Sequence, residues 1–175
     1  LLSGGVDSST ALAELVRDGH SVTAYYLKVW LEDELDHLGE CPWEEDLAYA
    51  REVCERFGVE LRVVPLQLEY YERVVQYALA ELRAGRTPSP DIFCNERVKF
   101  GAFLDYLERE GDDEVGRIAS GHYAQLRRMN GYVDLLQAPD PVKDQSYFLS
   151  HLKQDQLARL AFPIGSYTKE QVRRR

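Results

Sequence analysis

Residues 1–27 read LLSGGVDSSTALAELVRDGHSVTAYYL. Leu1-Leu2 has the apolar character of the last step of a strand, and it leads into a Gly/Ser turn. Over residues 8–18, Ala11, Leu12, Leu15 and Val16 recur at helical spacing and share one face. Gly19 then fits the residue just past a helix C-terminus. Residues 21–27 are β-branched and aromatic, the composition of a strand. Strand, helix and strand within 27 residues point to a parallel sheet with helices packed on it.

The alternation continues outward from that unit. Residues 44–57 predict a second helix, which Gly58 stops, and residues 59–66 predict a strand. Residues 70–82 predict a third helix. Residues 86–90 (RTPSP) carry two prolines, which exclude helix there. A fourth helix is expected over residues 95–107, capped by Asn95 with Glu96 in its first turn. Residues 116–120 predict a short strand. Alternating runs at 123–128 and 132–137 flank Met129-Asn130-Gly131, a strong hairpin signal. The expected fold class is α/β: a doubly wound, Rossmann-like parallel sheet with a small β-hairpin excursion. Such sheets bind ligands at the carboxyl ends of their strands. Residues 3–9, 27–28 and 120–122 all fall at such ends.

Composition agrees with one globular domain. The 175 residues are 45% hydrophobic and 29% charged, which excludes collagen, coiled coil and disorder. No apolar run approaches the ~20 residues of a membrane span. The net charge of −9, from 21 basic and 30 acidic residues, is a poor starting point for nucleic-acid binding. Cys41, Cys54 and Cys94 form no CxxC pair, which points to a reducing compartment. Cys54 shares a helix face with Ala50, Val53 and Phe57 and reads as core. Cys41 has no assigned role, nor does the acidic stretch 32–40. The chain opens without Met or a signal pattern, and residues 171–175 stop inside a helical pattern without a cap. Both ends are therefore expected to be cut from a longer protein.

Ser3-Gly4-Gly5-Val6-Asp7-Ser8-Ser9 is the first segment with chemistry in it. Two glycines let the backbone turn sharply and approach an anion. Main-chain N–H groups at the helix start, with the Ser3, Ser8 and Ser9 hydroxyls, offer donors to phosphate. Asp7 among them suits a ligand for Mg²⁺ held by those phosphates. No Gly-Lys-Ser/Thr occurs, so this is not a Walker loop. A capped helix after a tight turn is the plain alternative.

The second segment is Gly85-Arg86-Thr87-Pro88-Ser89-Pro90-Asp91-Ile92-Phe93-Cys94-Asn95. Cys94 is expected just before a helix, whose N-terminus would favour thiolate. Asp91 is placed to shuttle a proton nearby. The residues alone leave Cys94 equally well read as a buried structural thiol. His122 alone reads as a polar loop residue, and Lys143-Asp144-Gln145 as a solvated turn. Arg127-Arg128 and Arg173-Arg174-Arg175 read as solvated faces.

SGGVDSS resembles the pyrophosphatase loop of the N-type ATP pyrophosphatases, whose folds are of the adenine nucleotide alpha hydrolase type. GRTPSPDIFCNERVKFGAF resembles the tRNA-specific 2-thiouridylase family, whose members carry GxTPNPDxxCNxxIKFxxF. Here Ser89 stands for the usual Asn and Val98 for Ile. Ser120-Gly121-His122-Tyr123, Lys143-Asp144-Gln145-Ser146-Tyr147-Phe148-Leu149, Phe162-Pro163-Ile164-Gly165 and Lys169-Glu170-Gln171-Val172-Arg173 resemble further stretches of that family, in order, to the end of the chain.

The resemblance implies a transferase that uses ATP and Mg²⁺ to replace the C2 oxygen of a tRNA wobble uridine with sulfur. Residues 3–9, that is Ser3, Gly4, Gly5, Val6, Asp7, Ser8 and Ser9, would hold the phosphates, with Asp7 on the metal. Leu27 and Gly121 would line the adenosine site. Cys94 matches the family nucleophile, and Asp91 the acid/base residue. Ser89, Pro90 and Asp91 would touch the flipped-out base. His122, Lys143, Asp144 and Gln145 match tRNA contacts. The implied partners are tRNA and a sulfur donor, a cysteine desulfurase or sulfur-relay protein, in the cytoplasm and without a membrane. The persulfide cysteine and the β-rich central and C-terminal domains of the family would lie beyond residue 175. A different adenylating ligase, acting on a small metabolite with an amine or ammonia nucleophile, would need the loop but not Cys94. A nucleotide-binding module without catalysis would need even less.

Overall fold

A computed structural model describes residues 1–29, 42–111 and 115–175. The first half runs α1 (Val6–Arg17), β1 (Thr23–Lys28), α2 (Pro42–Phe57), β2 (Glu60–Pro65), α3 (Gln67–Tyr70), α4 (Gln76–Arg83), α5 (Pro90–Phe93) and α6 (Phe103–Glu110). The π-helical stretches Tyr71–Val75 and Cys94–Ala102 join α3 to α4 and α5 to α6. Then follow β3 (Ile118–Ala119), β4 (Ala124–Met129), β5 (Tyr132–Gln137), α7 (Gln154–Ala158), β6 (Leu160–Ala161) and α8 (Lys169–Arg173). Cys41 and the acidic stretch 32–40 lie outside the described residues.

β1 and β2 pair in parallel, Thr23 opposite Glu60 and Lys28 opposite Pro65. β3 and β6 form a second parallel pair. Leu1-Leu2 joins the two: the Leu2 amide donates to Tyr25 O at 2.9 Å, and the Leu1 nitrogen donates to Ala119 O at 2.6 Å. The backbone order is therefore β2, β1, Leu1-Leu2, β3, β6, the expected parallel sheet. β4 and β5 form the expected antiparallel hairpin, closed by Asn130-Gly131 with Gly131 at φ +85°.

Adjacent residues of β1 show why the sheet is covered on both faces, because successive side chains of a strand point to opposite sides. Tyr25 packs into a cluster with Val64, Val98, Phe100 and Phe103, while Ala24 and Tyr26 pack with Leu12, Leu47, Ala50 and Cys54. α1 and α2 thus cover one face, and the helical run through residue 100 covers the other. Cys54 is buried in the first of these layers, as its helix face required.

The basic runs lie on solvated faces, as expected, and most of their side chains also find partners. Arg127 pairs with Asp134 across the hairpin at 2.8 Å, and Arg128 donates to the carbonyls of Ala158 and Leu160. Arg174 pairs with Glu170, and Arg175 reaches Glu14 of α1 at 2.7 Å. Tyr167 also donates to Glu14, at 2.9 Å. Burial pushes the Glu14 carboxyl up, but the bonds from Tyr167 and Arg175 and the charges of Arg175 and Arg17 outweigh it and hold it below the carboxylate range. Val172 of α8 is buried with Ala11 and Tyr123. The end of the chain is thereby docked on α1, the helix that follows the glycine-serine loop.

Candidate nucleotide and thiol site

α1 starts at Val6 after an extended Gly5, and no side chain caps it. Its first internal bond runs from the Ser9 amide to Gly5 O, at 3.0 Å. The N–H groups before Ser9 therefore have no acceptor within the helix. The serine hydroxyls are turned inward. Ser8 and Ser9 both donate to Gly5 O at 3.0 Å, and Ser3 meets Ser8 through its amide at 3.2 Å and its hydroxyl at 3.1 Å. These bonds preform the loop and leave main-chain N–H groups as its free donors. An anion that engaged the Ser8 or Ser9 proton would first have to turn it off Gly5.

Two glycines let other elements grip this loop. Gly4 adopts φ +79°, and a Cβ there would stand 2.3 Å from Asp46 O of α2. A Cβ on Gly121, just after β3, would stand 2.7 Å from Asp7 C and Ser8 N. The backbone is thus held from both sides with no room for a side chain. Leu27, half-buried at the end of β1, flanks the same sheet edge.

Asp7 is the charged centre of the loop. Its Oδ1 accepts from the Tyr123 hydroxyl at 2.7 Å and from Lys169 Nζ at 2.5 Å. Tyr123 is fully buried. Burial, the bond to Asp7 and the nearby carboxylates push its phenol far up, so it stays a donor. Lys169 opens α8 behind a Thr168 cap. Among the described residues no three His, Cys, Asp or Glu side chains gather as a metal cage. One carboxylate beside a bed of N–H groups suits a divalent cation that arrives with phosphates, since Mg²⁺ keeps water and phosphate oxygens in most of its positions. Neither Tyr123 nor Lys169 was assigned a role from sequence. Lys169 lies 162 residues from Asp7, and no local spacing connects them.

Cys94 departs from expectation. The helix begins at Pro90 rather than Asn95, because proline suits the first helical position, where its missing N–H is not needed. Cys94 therefore sits a full turn inside, half-buried against the main core, and not at the N-terminus. Burial pushes its thiol up; the Lys99 charge pulls back part of that shift, and the Asp91 charge adds to it. The thiol is protonated at neutral pH, so a nucleophilic role needs a proton acceptor. Asp91 is exposed one turn earlier. Asn95 is no cap either: its Nδ2 donates to Asp91 O at 3.0 Å and to Phe148 O at 3.3 Å. Ser89 precedes the helix without capping it, and Pro90 is its first residue.

The π-helical phase has a visible cause. Gln156 of α7, itself buried, donates through Nε2 to Glu96 O at 2.9 Å and to Phe100 O at 2.7 Å. A side chain inserted into the carbonyl ladder displaces the ordinary register. Arg73 and Arg97 then clasp the two π-helical stretches, each donating to the other's carbonyl, at 3.1 and 3.0 Å.

His122 is packed rather than presented on a loop. Its ring lies 5.8 Å from both Phe100 and Phe162, with Nδ1 2.8 Å from Ser120 Oγ. Burial and the Lys99 charge lower its pKa to about 3, so it is neutral. Asp144 and Gln145 are engaged internally. Asp144 accepts from the amides of Ala138 and Ser146 and from the Ser146 hydroxyl, and Gln145 exchanges bonds with the Tyr123 backbone. Lys143 alone of the three is held only through its backbone, to Asp140. Leu1 and Cys94 both pack against the main core cluster, so the strand that feeds the loop and the thiol region share one core.

Residues 1–175 match the family described as the tRNA methyl transferase HUP domain. The chain is 49% identical over 172 residues to the tRNA-specific 2-thiouridylase MnmA of Akkermansia muciniphila, covering 98% of this chain and 47% of that protein. It is 49% identical to the MnmA of Methylococcus capsulatus, covering 98% of this chain and 45% of that one. It is 45% identical to the MnmA of Pseudomonas aeruginosa, with 98% and 44% covered. The chain thus spans about half the length of the curated relatives it matches. Among the described residues no helix is long and apolar enough to cross a membrane.

Proposed function

We infer that this chain, which belongs to the tRNA methyl transferase HUP domain family, is the ATP-handling part of a tRNA-uridine 2-sulfurtransferase. The observation that carries this is the uncapped start of α1, gripped through Gly4 and Gly121 and charged by Asp7. The main chain of residues 3–9 receives the phosphates of ATP, and Asp7 takes a share of Mg²⁺. The metal supplies charge neutralisation on the phosphate oxygens. Leu27 and Gly121 border the adenosine.

The substrate is a tRNA, whose wobble uridine becomes adenylated at the C2 oxygen as pyrophosphate leaves. Ser89, Pro90 and Asp91, at the mouth of the Cys94 helix, contact the flipped-out base. Asp91 takes the thiol proton, and Cys94 serves the sulfur step that expels AMP from C2. Lys143 meets the tRNA backbone. His122, Asp144 and Gln145 support that surface from within. The sulfur comes from a cysteine desulfurase or a relay protein, and the enzyme works in the cytoplasm.

The test is Cys94→Ser in the full-length protein. Loss of a nucleophile lowers thiolation more than about 100-fold, while ATP affinity stays within about twofold on the scale of binding free energies. Loss of ATP binding in that variant assigns the thiol to the structure. Retained thiolation removes it from the chemistry, as would pyrophosphate release driven by a small metabolite without RNA.

A further inference from the structure

The glycine-serine loop contains no lysine or arginine, yet a triphosphate brings several negative charges to a place already holding Asp7. Main-chain N–H groups carry only partial charge, so a full cation is missing from the loop's own sequence. The structure supplies one from the far end of the chain. Lys169 Nζ lies 2.5 Å from Asp7 Oδ1, in the first turn of α1. Its side chain is 29% exposed, so it reaches solvent beside the free N–H groups.

The placement of Lys169 is over-determined. Thr168 and Gln171 cap the first turn of α8 reciprocally. The Lys169 amide donates to Asp140 Oδ2 at 2.6 Å. Val172 is buried against α1, and Arg175 and Tyr167 hold Glu14. Tyr123 holds Asp7 Oδ1 independently, so the carboxylate keeps its position if the ammonium leaves it. An ammonium on a flexible stem can exchange one oxygen anion for another at little cost.

We propose that Lys169 is a phosphate-binding residue of the loop, held on the Asp7 carboxylate when the loop is empty and moved to a phosphate oxygen when a polyphosphate enters. A divalent cation accompanying the polyphosphate then meets Asp7 in its place. The proposal rests on the reading that the loop binds polyphosphate.

Calorimetry on the full-length protein tests both, with ATP and with inorganic pyrophosphate as the probes and without tRNA. Wild type that binds neither probe overturns the reading and the proposal together. Where wild type binds, Lys169→Met lowers affinity for both probes about tenfold, the worth of one charge-assisted hydrogen bond. Lys169→Arg restores most of it. Without nucleotide, Lys169→Met also binds Mn²⁺ at least about threefold tighter, since the carboxylate has lost its cation. Unchanged probe affinity in a Lys169→Met protein that melts at a lower temperature makes Lys169 a strut only and overturns the proposal alone. Should the methionine variant fail to fold, acetylation of Lys169 in wild type is read by mass spectrometry. Saturating pyrophosphate slows it at least about threefold if the ammonium meets phosphate, and an unchanged rate overturns the proposal.

Discussion

The glycine-serine loop and the Cys94 helix are both helix beginnings, on opposite faces of the sheet, and they are built in opposite ways. The loop leaves its helix uncapped and turns its serines inward, so its free groups are main-chain donors facing solvent. The Cys94 run is tied by side chains: Asn95 within it donates to Asp91 O and to Phe148 O, and the distant Gln156 donates to Glu96 O and Phe100 O. The first region leaves its polarity exposed. The second is a desolvated shelf whose burial favours a neutral thiol. The proposed function, binding a charged nucleotide and then a sulfur step, would benefit from that contrast, because the two demands favour opposite dielectric surroundings.

The sharpest break in the contrast comes from Gly121→Ala. The added Cβ meets the Asp7–Ser8 backbone at 2.7 Å, and backbone cannot turn aside as a side chain can. Overpacking of this kind costs about 2–3 kcal/mol. ATP binding is expected to be lost outright, while Cys94 alkylation stays near wild type. Calorimetry and mass-spectrometric labelling check both halves, and unimpaired ATP binding would contradict the grip described for the loop.

Gln156→Ala breaks the other region. Two buried carbonyls lose their donor, a loss of about 2 kcal/mol. Denaturant melts show the loss, Cys94 labelling speeds up as the π-helical stretch loosens, and ATP affinity holds. A parallel fall in ATP affinity would mean that the two regions are one cooperative unit rather than two.

The smallest effect needs no mutation. The Cys94 thiol is shifted up by burial, so the neutral form persists above the ordinary thiol range. Its alkylation rate should climb about tenfold per pH unit through neutrality and beyond, as the thiolate fraction grows. A rate already level at neutral pH would show a thiolate and restore the helix-terminus picture that the structure replaced.

The same contrast explains what could be read from the sequence. The loop is seven contiguous residues between a strand and a helix, and its chemistry is local, so its residues announce it. The sheet was legible from Leu1-Leu2 and from the β-branched and aromatic run 21–27, and the hairpin from Asn130-Gly131. The start of the Cys94 helix was misplaced from Pro90 to Asn95 because Asn95 resembles a cap, whereas its amide serves Phe148, 53 residues away. Its π-helical phase depends on Gln156, 60 residues from Glu96. β6 is two residues long, too short to show alternation. Lys169 reaches Asp7 only through the docking of α8. Contacts at such separations are set by tertiary packing, which local pattern does not encode.

The measurement that bears most directly on the account is pyrophosphate release by the full-length protein with ATP and two tRNAs that differ only at the wobble position. Release that requires uridine there and vanishes with cytidine is the predicted result. Equal release with either tRNA, or with none, would contradict adenylation of the base as the reaction for which this loop is built.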